Sequence, residues 1–179
     1  MEAQLNRYLA ESELLKSIVE SGYEISDSDF AALSKLMYNE DGIIKAVELA
    51  PNGVVRSVYP QASNADALGL NMLRHPERKV EASLAKESGQ YTIAGPFQLV
   101  QGGTGALLFD PIYTTGADGS QKYWGFSVLV LDWESFLDEI QINKLQDASY
   151  EYLIWKEGHN GEPFSYTHLR AHETAANLV

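Results

Sequence analysis

The chain has 179 residues, of which 45% are hydrophobic and 21% are charged, and this balance predicts one globular domain that could comprise two lobes. Its net charge of −12 would repel a nucleic-acid backbone, so we predict no nucleic-acid partner, and anionic membrane surfaces are poor partners as well. The sequence has no cysteine, which excludes disulfides, a thiolate nucleophile and a cysteine metal site. It has neither a signal-peptide core nor an apolar run of membrane-spanning length, so we expect this segment to be soluble.

Residues 164–179 are set apart as a tail of suspected non-native origin. Within it, residues 165–174 (SYTHLRAHET) match one reading frame of a common transposon-based sequencing adaptor, so we interpret them as adaptor read-through. The natural protein would then continue beyond about Pro163. The alternative is an ordinary polar tail. Setting the tail aside removes His168 and His172, and we predict no metal site in the remainder.

Two helices are predicted at the start of the chain. Apolar side chains recur at helical spacing in residues 3–20, and Gly22 ends that run. The second helix begins where Ser26 or Asp27 can cap the free amides, and its apolar stripe starts at Phe30.

The period then changes to one that is typical of strands. Residues 43–60 (IIKAVELAPNGVVRSVYP) predict a hairpin, because Asn52-Gly53 accepts the positive φ angles of a tight turn. Short helices are predicted in residues 61–73 and 76–89, the second with Pro76 at its start. The later segments predict strands at Tyr91–Ile93, Phe97–Val100, Ala106–Tyr113, Tyr123–Asp132 and 150–156, with a helix at 133–140. This order predicts the α+β class, with a central antiparallel sheet flanked by helices.

The glycines of residues 95–113 (GPFQLVQGGTGALLFDPIY) raise the question of a phosphate-binding loop. A P-loop needs a lysine and a hydroxyl at the start of a helix, whereas Gly105 is followed by Ala106, Leu107 and a predicted strand. We therefore interpret the glycine cluster as the turn of a hairpin.

Residues suited to catalysis are scarce in this sequence. His75 lies at a helix entry and His159 in a polar turn, where a solvated or capping role is more common than general-base chemistry. The carboxylates Glu134, Asp138 and Glu139 fall on a helix, where acidic residues usually form the solvated face. The serines lack the setting of a nucleophile elbow. We predict that this segment is not an enzyme, and no cofactor is implied.

Aromatic residues are frequent, with ten tyrosines and three tryptophans. Those on or beside predicted strands are Tyr59, Tyr91, Phe97, Phe109, Tyr113, Trp124 and Phe126. The inward-facing members could line a pocket for a small planar or apolar ligand. The alternative, which composition alone favours, is that these side chains simply form the core.

Three segments carry a family resemblance: VELAPNGVVRSVYPQASNADALGLNML, AKESGQYTIAGPFQLVQGGTGALLFDPIY and YWGFSVLVLDWESFL. Together they span roughly residues 30–137, and the series is specific although no single piece is. The series resembles the CHASE domain, the extracytoplasmic sensor of transmembrane histidine kinases, diguanylate cyclases and related receptors, including the plant cytokinin receptors.

The resemblance implies an N-terminal stalk helix (residues 1–24) that leads into a PAS-like α/β sensor domain (residues 25–163). Such domains usually form homodimers, lie outside the cytoplasm and are held between two transmembrane helices, which this segment lacks. Binding of a small molecule, unidentified here, would pass through the stalk helices to a cytoplasmic kinase or cyclase. The alternative is a dimerisation or interaction domain of the same fold whose pocket is filled by its own side chains.

The resemblance also implies where a ligand would bind. By the motif register, ligand contacts of the family fall at Ala62, Leu84 and Ala94, and two of these positions carry a polar group in hormone-binding members. Alanine at both positions argues against a cytokinin, because an unpaired buried polar group costs about 1–3 kcal/mol. Asn64 or Asp66 could supply a different polar contact. The predicted ligand-binding residues are Tyr59, Ala62, Asn64, Leu84, Ala94, Phe97, Leu99, Phe109 and Tyr113.

Overall fold

The structure, a computed structural model, describes residues 2–38, 42–99, 102–141, 154–157 and 163–167. The chain divides into two compact units, Met1–Phe136 and Leu137–Val179. In the second unit, β6 (Ile154–Glu157) pairs antiparallel with β7 (Pro163–Thr167), so a strand includes the first three residues of the suspected adaptor segment. The domain boundaries predicted at residues 24 and 163 stay predictions.

The first unit is built on a five-stranded antiparallel sheet with the strand order β2-β1-β5-β4-β3. This arrangement confirms the predicted α+β class with a central antiparallel sheet. The elements are α1 (Glu2–Glu20), α2 (Asp27–Met37), β1 (Ile44–Pro51), β2 (Ser57–Tyr59), α3 (Gln61–Asn64), a 3-10 turn (Ala65–Ala67), α4 (Lys79–Ser88), β3 (Thr92–Gln98), β4 (Thr104–Thr115), β5 (Gln121–Asp132) and α5 (Trp133–Glu139).

The helix ends follow from local capping chemistry. The Ser26 hydroxyl accepts a hydrogen bond from the Asp29 amide at 3.2 Å, which confirms the predicted start of α2. α4 begins at Lys79, later than the predicted start at Pro76, because the preceding residues form a turn. Gly89 ends α4 at φ 70°, as predicted.

The predicted turns form, but two strand boundaries differ. Asn52 and Gly53 have the expected positive φ angles of 54° and 81°, yet β1 and β2 pair only from Leu49 and Ser57 outward, so the loop is wider than a tight hairpin. The strands predicted on either side of Gly95 form one strand, β3, with an irregularity at that glycine.

The glycine cluster is the turn of a hairpin, as predicted. Gly102 and Gly103 have positive φ angles between β3 and β4, and the Leu99 amide donates to the Gly103 carbonyl at 3.0 Å. A Cβ atom at Gly105 would lie 2.8 Å from the Leu131 carbonyl oxygen. A larger residue at this position would therefore prevent β4 and β5 from packing as closely as they do.

Alternation along the strands gives the sheet two buried faces. One carries Glu48, Leu107, Phe109 and Val128 and is packed against α4; we call it the α4 face. The other carries Leu49, Leu108, Asp110, Ser127 and Leu129 and is packed against α1; we call it the α1 face.

Candidate functional site

The α4 face is a compact apolar cluster that joins the sheet to α4. Phe109 and Phe126 are completely buried, and their ring centroids lie 5.4 Å apart. The other buried members are Ala46, Ala50, Val55, Val58, Ala67, Met72, Ala82, Ala85, Ala94, Leu99, Leu107, Val128 and Val130. Any polar group that enters this cluster is therefore removed from water.

Glu48 places a carboxyl group within these apolar surroundings. It pairs with Val58 and Val128 in the sheet, which directs its side chain to the α4 face, and only 2% of the residue is exposed. Its Oε2 atom has no hydrogen-bond partner among the residues that the structure describes. Burial raises the pKa of Glu48 to about 7, although the charge of Arg78 opposes the rise.

Arg78 brings a cation to the same cluster from the residue just before α4. The residue is 4% exposed, and its Nε atom has no hydrogen-bond partner in the described part of the chain. One terminal nitrogen lies 3.9 Å from the sulfur of Met72, and the guanidinium carbon lies 5.3 Å from the ring centroid of Phe97. Burial lowers the pKa of Arg78, against the charge of Glu48. Among the described residues, no ion pair or hydrogen bond joins Arg78 to Glu48.

Tyr123 adds a third buried polar atom at the end of this cluster. Within the described residues its hydroxyl has no hydrogen-bond partner, and burial raises the pKa of Tyr123. The ring packs edge-on against Phe126 and Tyr113, at centroid distances of 5.4 and 5.8 Å. The Lys86 ammonium lies 4.9 Å from the centre of the same ring. A guest at this end of the cluster would find a hydroxyl that can donate or accept.

The structure brings most of the predicted ligand-binding residues to the α4 face or to α4. Ala94, Leu99 and Phe109 are buried in the cluster, and Phe97 packs against it. Two further residues lie beside it: Leu84 is half-buried on α4, and the hydroxyl of Tyr113 donates to the Lys86 carbonyl oxygen.

The other three predicted residues lie elsewhere. Tyr59 is on the α1 face, where its ring packs edge-on against Tyr38 at 5.6 Å. Ala62 is exposed on α3. The amide of Asn64 donates to the Pro60 carbonyl oxygen at 2.8 Å and is occupied within its own turn. The sheet therefore separates Tyr59 from Phe109, and one guest molecule could not contact both.

A cleft of about 380 Å³ lies on the other side of the sheet, beyond the end of α1. It is lined by Val19, Gly22, Tyr23, Glu24, Ile25, Leu49, Pro51, Arg56, Ser57, Thr114 and Trp124. None of the nine predicted residues lines it. Its charged side chains, Glu24 and Arg56, are exposed to water, so this cleft places no desolvated charge against a guest.

On the α1 face, a buried carboxylate has a partner. Lys16 on α1 donates to Asp110 on β4 at 2.8 Å, and the Ser12 hydroxyl lies 3.5 Å from the same carboxylate. Burial raises the pKa of Asp110, and Lys16 opposes that rise. Burial alone would lower the pKa of Lys16, but its hydrogen bond and attraction to Asp110 outweigh burial and raise it. The pair fixes α1 to the sheet.

Sequence reasoning missed Glu48 and Arg78. Glu48 lies in the run KAVELAP, where apolar residues on both sides conceal which parity faces α4. The available signal was that Glu48 is a charged residue within an apolar predicted strand, which is a costly position for a charge and can mark a functional residue. Arg78 lies in the polar segment HPERK, which resembles an ordinary solvated helix start, so its burial could not be read from the segment.

The described residues contain neither a metal-ligand cluster nor a membrane-spanning helix. No group of three potential ligands there could hold a metal ion. No helix in that part of the chain is both long and apolar enough to cross a bilayer. The Nδ1 atom of His75 accepts from the Glu77 amide at 3.3 Å, a local turn contact. His159, His168 and His172 lie outside the described residues.

Comparisons with known proteins concern the family and the fold of this chain. A profile of the CHASE domain matches residues 18–164. Among solved structures, the chain is similar to an extracellular ligand binding receptor from Desulfohalobium retbaense DSM5692, with 19% identity, a TM-score of 0.55 and 84% of this chain covered. The chain spans 25% of that receptor's length, and at this identity the likeness shows the fold alone. A search of curated proteins found no match.

Proposed function

We propose that this chain, which belongs to the CHASE domain family of sensor domains, binds a small molecule at the α4 face and reports its presence to a signalling partner. The parent protein would be a membrane-bound histidine kinase or diguanylate cyclase. This segment would lie outside the cytoplasm, between membrane helices beyond the present sequence. Catalysis would reside in the output domain of the parent protein.

The observation that carries the proposal is a pair of buried, opposite charges in an apolar cluster, each with one atom that lacks a hydrogen bond in the described structure. Glu48 and Arg78 are 2% and 4% exposed, and each has an atom that lacks a hydrogen bond. A buried charge without partners costs several kcal/mol, and proteins retain such groups mainly where they serve a function. A polar guest would supply the missing partners.

The strand β4 offers a route from this site to α1. Phe109 faces the α4 cluster, whereas its neighbour Asp110 faces α1 and binds Lys16 at 2.8 Å. A displacement of β4 by a guest would therefore move the anchor point of α1. We propose that α1 is the stalk helix, that the fold is PAS-like and that the signalling form is a homodimer. Binding would shift the dimer equilibrium by the difference in affinity between its two states.

The similarity to an extracellular ligand binding receptor supports this assignment, since that protein shares the fold over 84% of the present chain. The buried charged groups of Glu48 and Arg78 are a second reason to propose ligand binding, and this reason is specific to this chain. Both observations support ligand binding, and the family supports an extracytoplasmic location.

A thermal-shift screen of the full chain against adenines, amino acids, peptides and carboxylates tests the proposal. A site occupied at 100 times its Kd adds about 2.7 kcal/mol of stability. For a domain of this size, that gain raises Tm by roughly 5–10 °C. We expect one class to produce such a shift. The absence of a shift in every class would contradict the proposal.

The second candidate function is a dimerisation or interaction domain with a self-filled pocket. The complete burial of Phe109, Phe126 and Met72 favours it, since these large side chains fill much of the α4 face. Under this alternative no small molecule stabilises the chain, and substitutions at the α4 face change folding stability alone.

A further inference from the structure

We propose that the guest at the α4 face is a free α-amino acid, whose ammonium group binds Glu48 and whose carboxylate binds Arg78. The inference rests on the proposed sensor function and names the class of ligand. It is drawn from the unsatisfied atoms of two buried charged groups in the described structure, the weak contacts of Arg78, and the small side chains around both groups.

Glu48 is suited to a cationic donor. Its Oε2 atom is buried without a hydrogen bond, and the cation that acts on it, Arg78, makes no direct contact with it in the described structure. An ammonium group presents three donors to a carboxylate, and such charge-assisted bonds are about twice as strong as neutral ones. Binding a cation would also keep the carboxylate ionised despite its burial.

Arg78 is suited to an anionic acceptor. A guanidinium has five N–H donors, yet the contacts described for this one are a thioether sulfur at 3.9 Å and the face of Phe97 at 5.3 Å. A thioether is a weak acceptor, and an aromatic face orients a cation without satisfying its hydrogen bonds. A carboxylate can accept two parallel bonds from the planar fork.

The two requirements together select the ligand class. A simple anion would leave Glu48 unpaired, and a simple amine would leave Arg78 unpaired, so each would keep one buried charge without a partner. An α-amino acid carries both groups on one carbon atom and satisfies both residues. Its side chain would then meet the apolar cluster around Phe109.

The size of the surrounding side chains favours a compact guest. Ala82 and Ala85 on α4 and Ala94 on β3 are completely buried in the same cluster. Short side chains on both elements allow the helix and the sheet to approach closely, which restricts the depth of any pocket between them. A guest at this face must therefore be small, which favours a free amino acid over a peptide.

Calorimetric titration of the full 179-residue chain with each of the twenty standard amino acids tests the inference. We expect at least one to bind. Its N-acetyl derivative lacks the ammonium group and its amide lacks the carboxylate, so each should bind wild-type protein about 10- to 100-fold more weakly. This comparison needs no variant and is independent of any folding defect.

Variants then assign each end of the amino acid to a residue. Glu48→Gln should weaken binding of the amino acid about tenfold or more, but should add little to the loss from N-acetylation, because both remove the same ion pair. Arg78→Met should likewise weaken binding of the amino acid but add little to the loss caused by amidation of its carboxylate, because both changes remove the same ion pair. Glu87→Gln and Arg74→Met remove exposed charges of the same types and should leave the affinity unchanged.

Three results would overturn the inference in distinguishable ways. If no amino acid binds while another class in the thermal-shift screen does, the sensor function stands and the ligand class is wrong. If an amino acid binds equally well to Glu48→Gln, Arg78→Met and the controls, the site lies elsewhere. If no compound of any class binds, the proposed function fails together with the inference.

Discussion

The two faces of the sheet bury carboxyl groups in opposite ways. On the α1 face, Asp110 is held by Lys16 at 2.8 Å and approached by Ser12. On the α4 face, Glu48 is buried more deeply, and its Oε2 atom has no hydrogen-bond partner in the described structure. A satisfied buried carboxylate joins two elements of the fold, whereas an unsatisfied one weakens the fold unless a ligand completes it.

The contrast concerns charges rather than all polar atoms. The hydroxyl of Ser127, on the α1 face, also lacks a partner among the described residues. An unpaired neutral hydroxyl costs far less than an unpaired charge, so it carries no comparable indication of function. In the described structure, the unpaired charged atoms of Glu48 and Arg78 both lie on the α4 side.

The largest effects should come from truncating the core on either face. Phe109→Ala should lower the free energy of unfolding by about 3–5 kcal/mol and Leu108→Ala by about 2–5 kcal/mol, because both side chains are buried. Urea denaturation measures both. Ligand affinity then distinguishes the two faces, because Phe109→Ala should also weaken ligand binding and Leu108→Ala should not. Equal binding losses in the two variants would remove the distinction.

Breaking the ion pair on the α1 face should come next. Asp110→Asn leaves the Lys16 ammonium half-buried without its carboxylate, which should cost about 2–4 kcal/mol. Asp66→Asn removes an exposed carboxylate and should cost less than about 0.5 kcal/mol. Denaturation at neutral pH compares the two. A stable Asp110→Asn protein would mean that α1 is held by apolar contacts alone.

Neutralising the buried carboxyl group on the α4 face, by Glu48→Gln, should raise the free energy of unfolding rather than lower it. The folded pKa of Glu48 lies near 7, above its ordinary value of 4.5, so its contribution is present below pH 4.5 and lost as pH rises through 7. Without ligand, Glu48→Gln should match wild type near pH 4 and exceed its stability by roughly 3 kcal/mol near pH 8.

Denaturation of both proteins across that pH range measures the difference, in which the other titrating groups largely cancel. A pH-independent difference would show that the carboxyl group is solvated or already paired. The α4 face would then lose its distinguishing feature.

The smallest effects concern neutral hydroxyl groups. The Tyr123 hydroxyl has no partner, so Tyr123→Phe should change stability by less than about 1 kcal/mol and in the stabilising direction. The Ser12 hydroxyl donates to the Leu9 carbonyl oxygen at 2.9 Å, so Ser12→Ala should destabilise by about 1 kcal/mol. Thermal melts of both variants under identical conditions show whether each substitution raises or lowers Tm. Destabilisation by Tyr123→Phe would indicate an existing partner for that hydroxyl.

Much of the fold could be predicted from local chemistry. The Ser26 cap, the positive φ angles of Asn52 and Gly53, and the glycine turn before β4 each follow from a few neighbouring residues. The family resemblance is confirmed over residues 18–164. These features depend on short segments or on the order of motifs, both of which a single sequence contains.

The candidate site was predicted only in part, because it depends on long-range packing. Phe109 and Ala94 were predicted as ligand contacts and lie in the α4 cluster, whereas Tyr59 lies on the other face. Alternate residues of a strand face opposite sides of the sheet, and this alternation separates Tyr59 from Phe109. Because apolar residues occupy both sets of positions, the sequence does not show which face each residue is on. Glu48 and Arg78 are 30 residues apart in the chain, and only long-range packing brings both to the α4 cluster, which no local pattern encodes.

Hydrogen–deuterium exchange of the full chain, with and without a compound that raises its Tm, tests the central claim most directly. We expect the compound to slow amide exchange in α4 and in β3 and β4 around the α4 cluster. Protection confined instead to residues 19–25 and 51–57, which line the cleft on the other side of the sheet, would place the guest there and contradict the account.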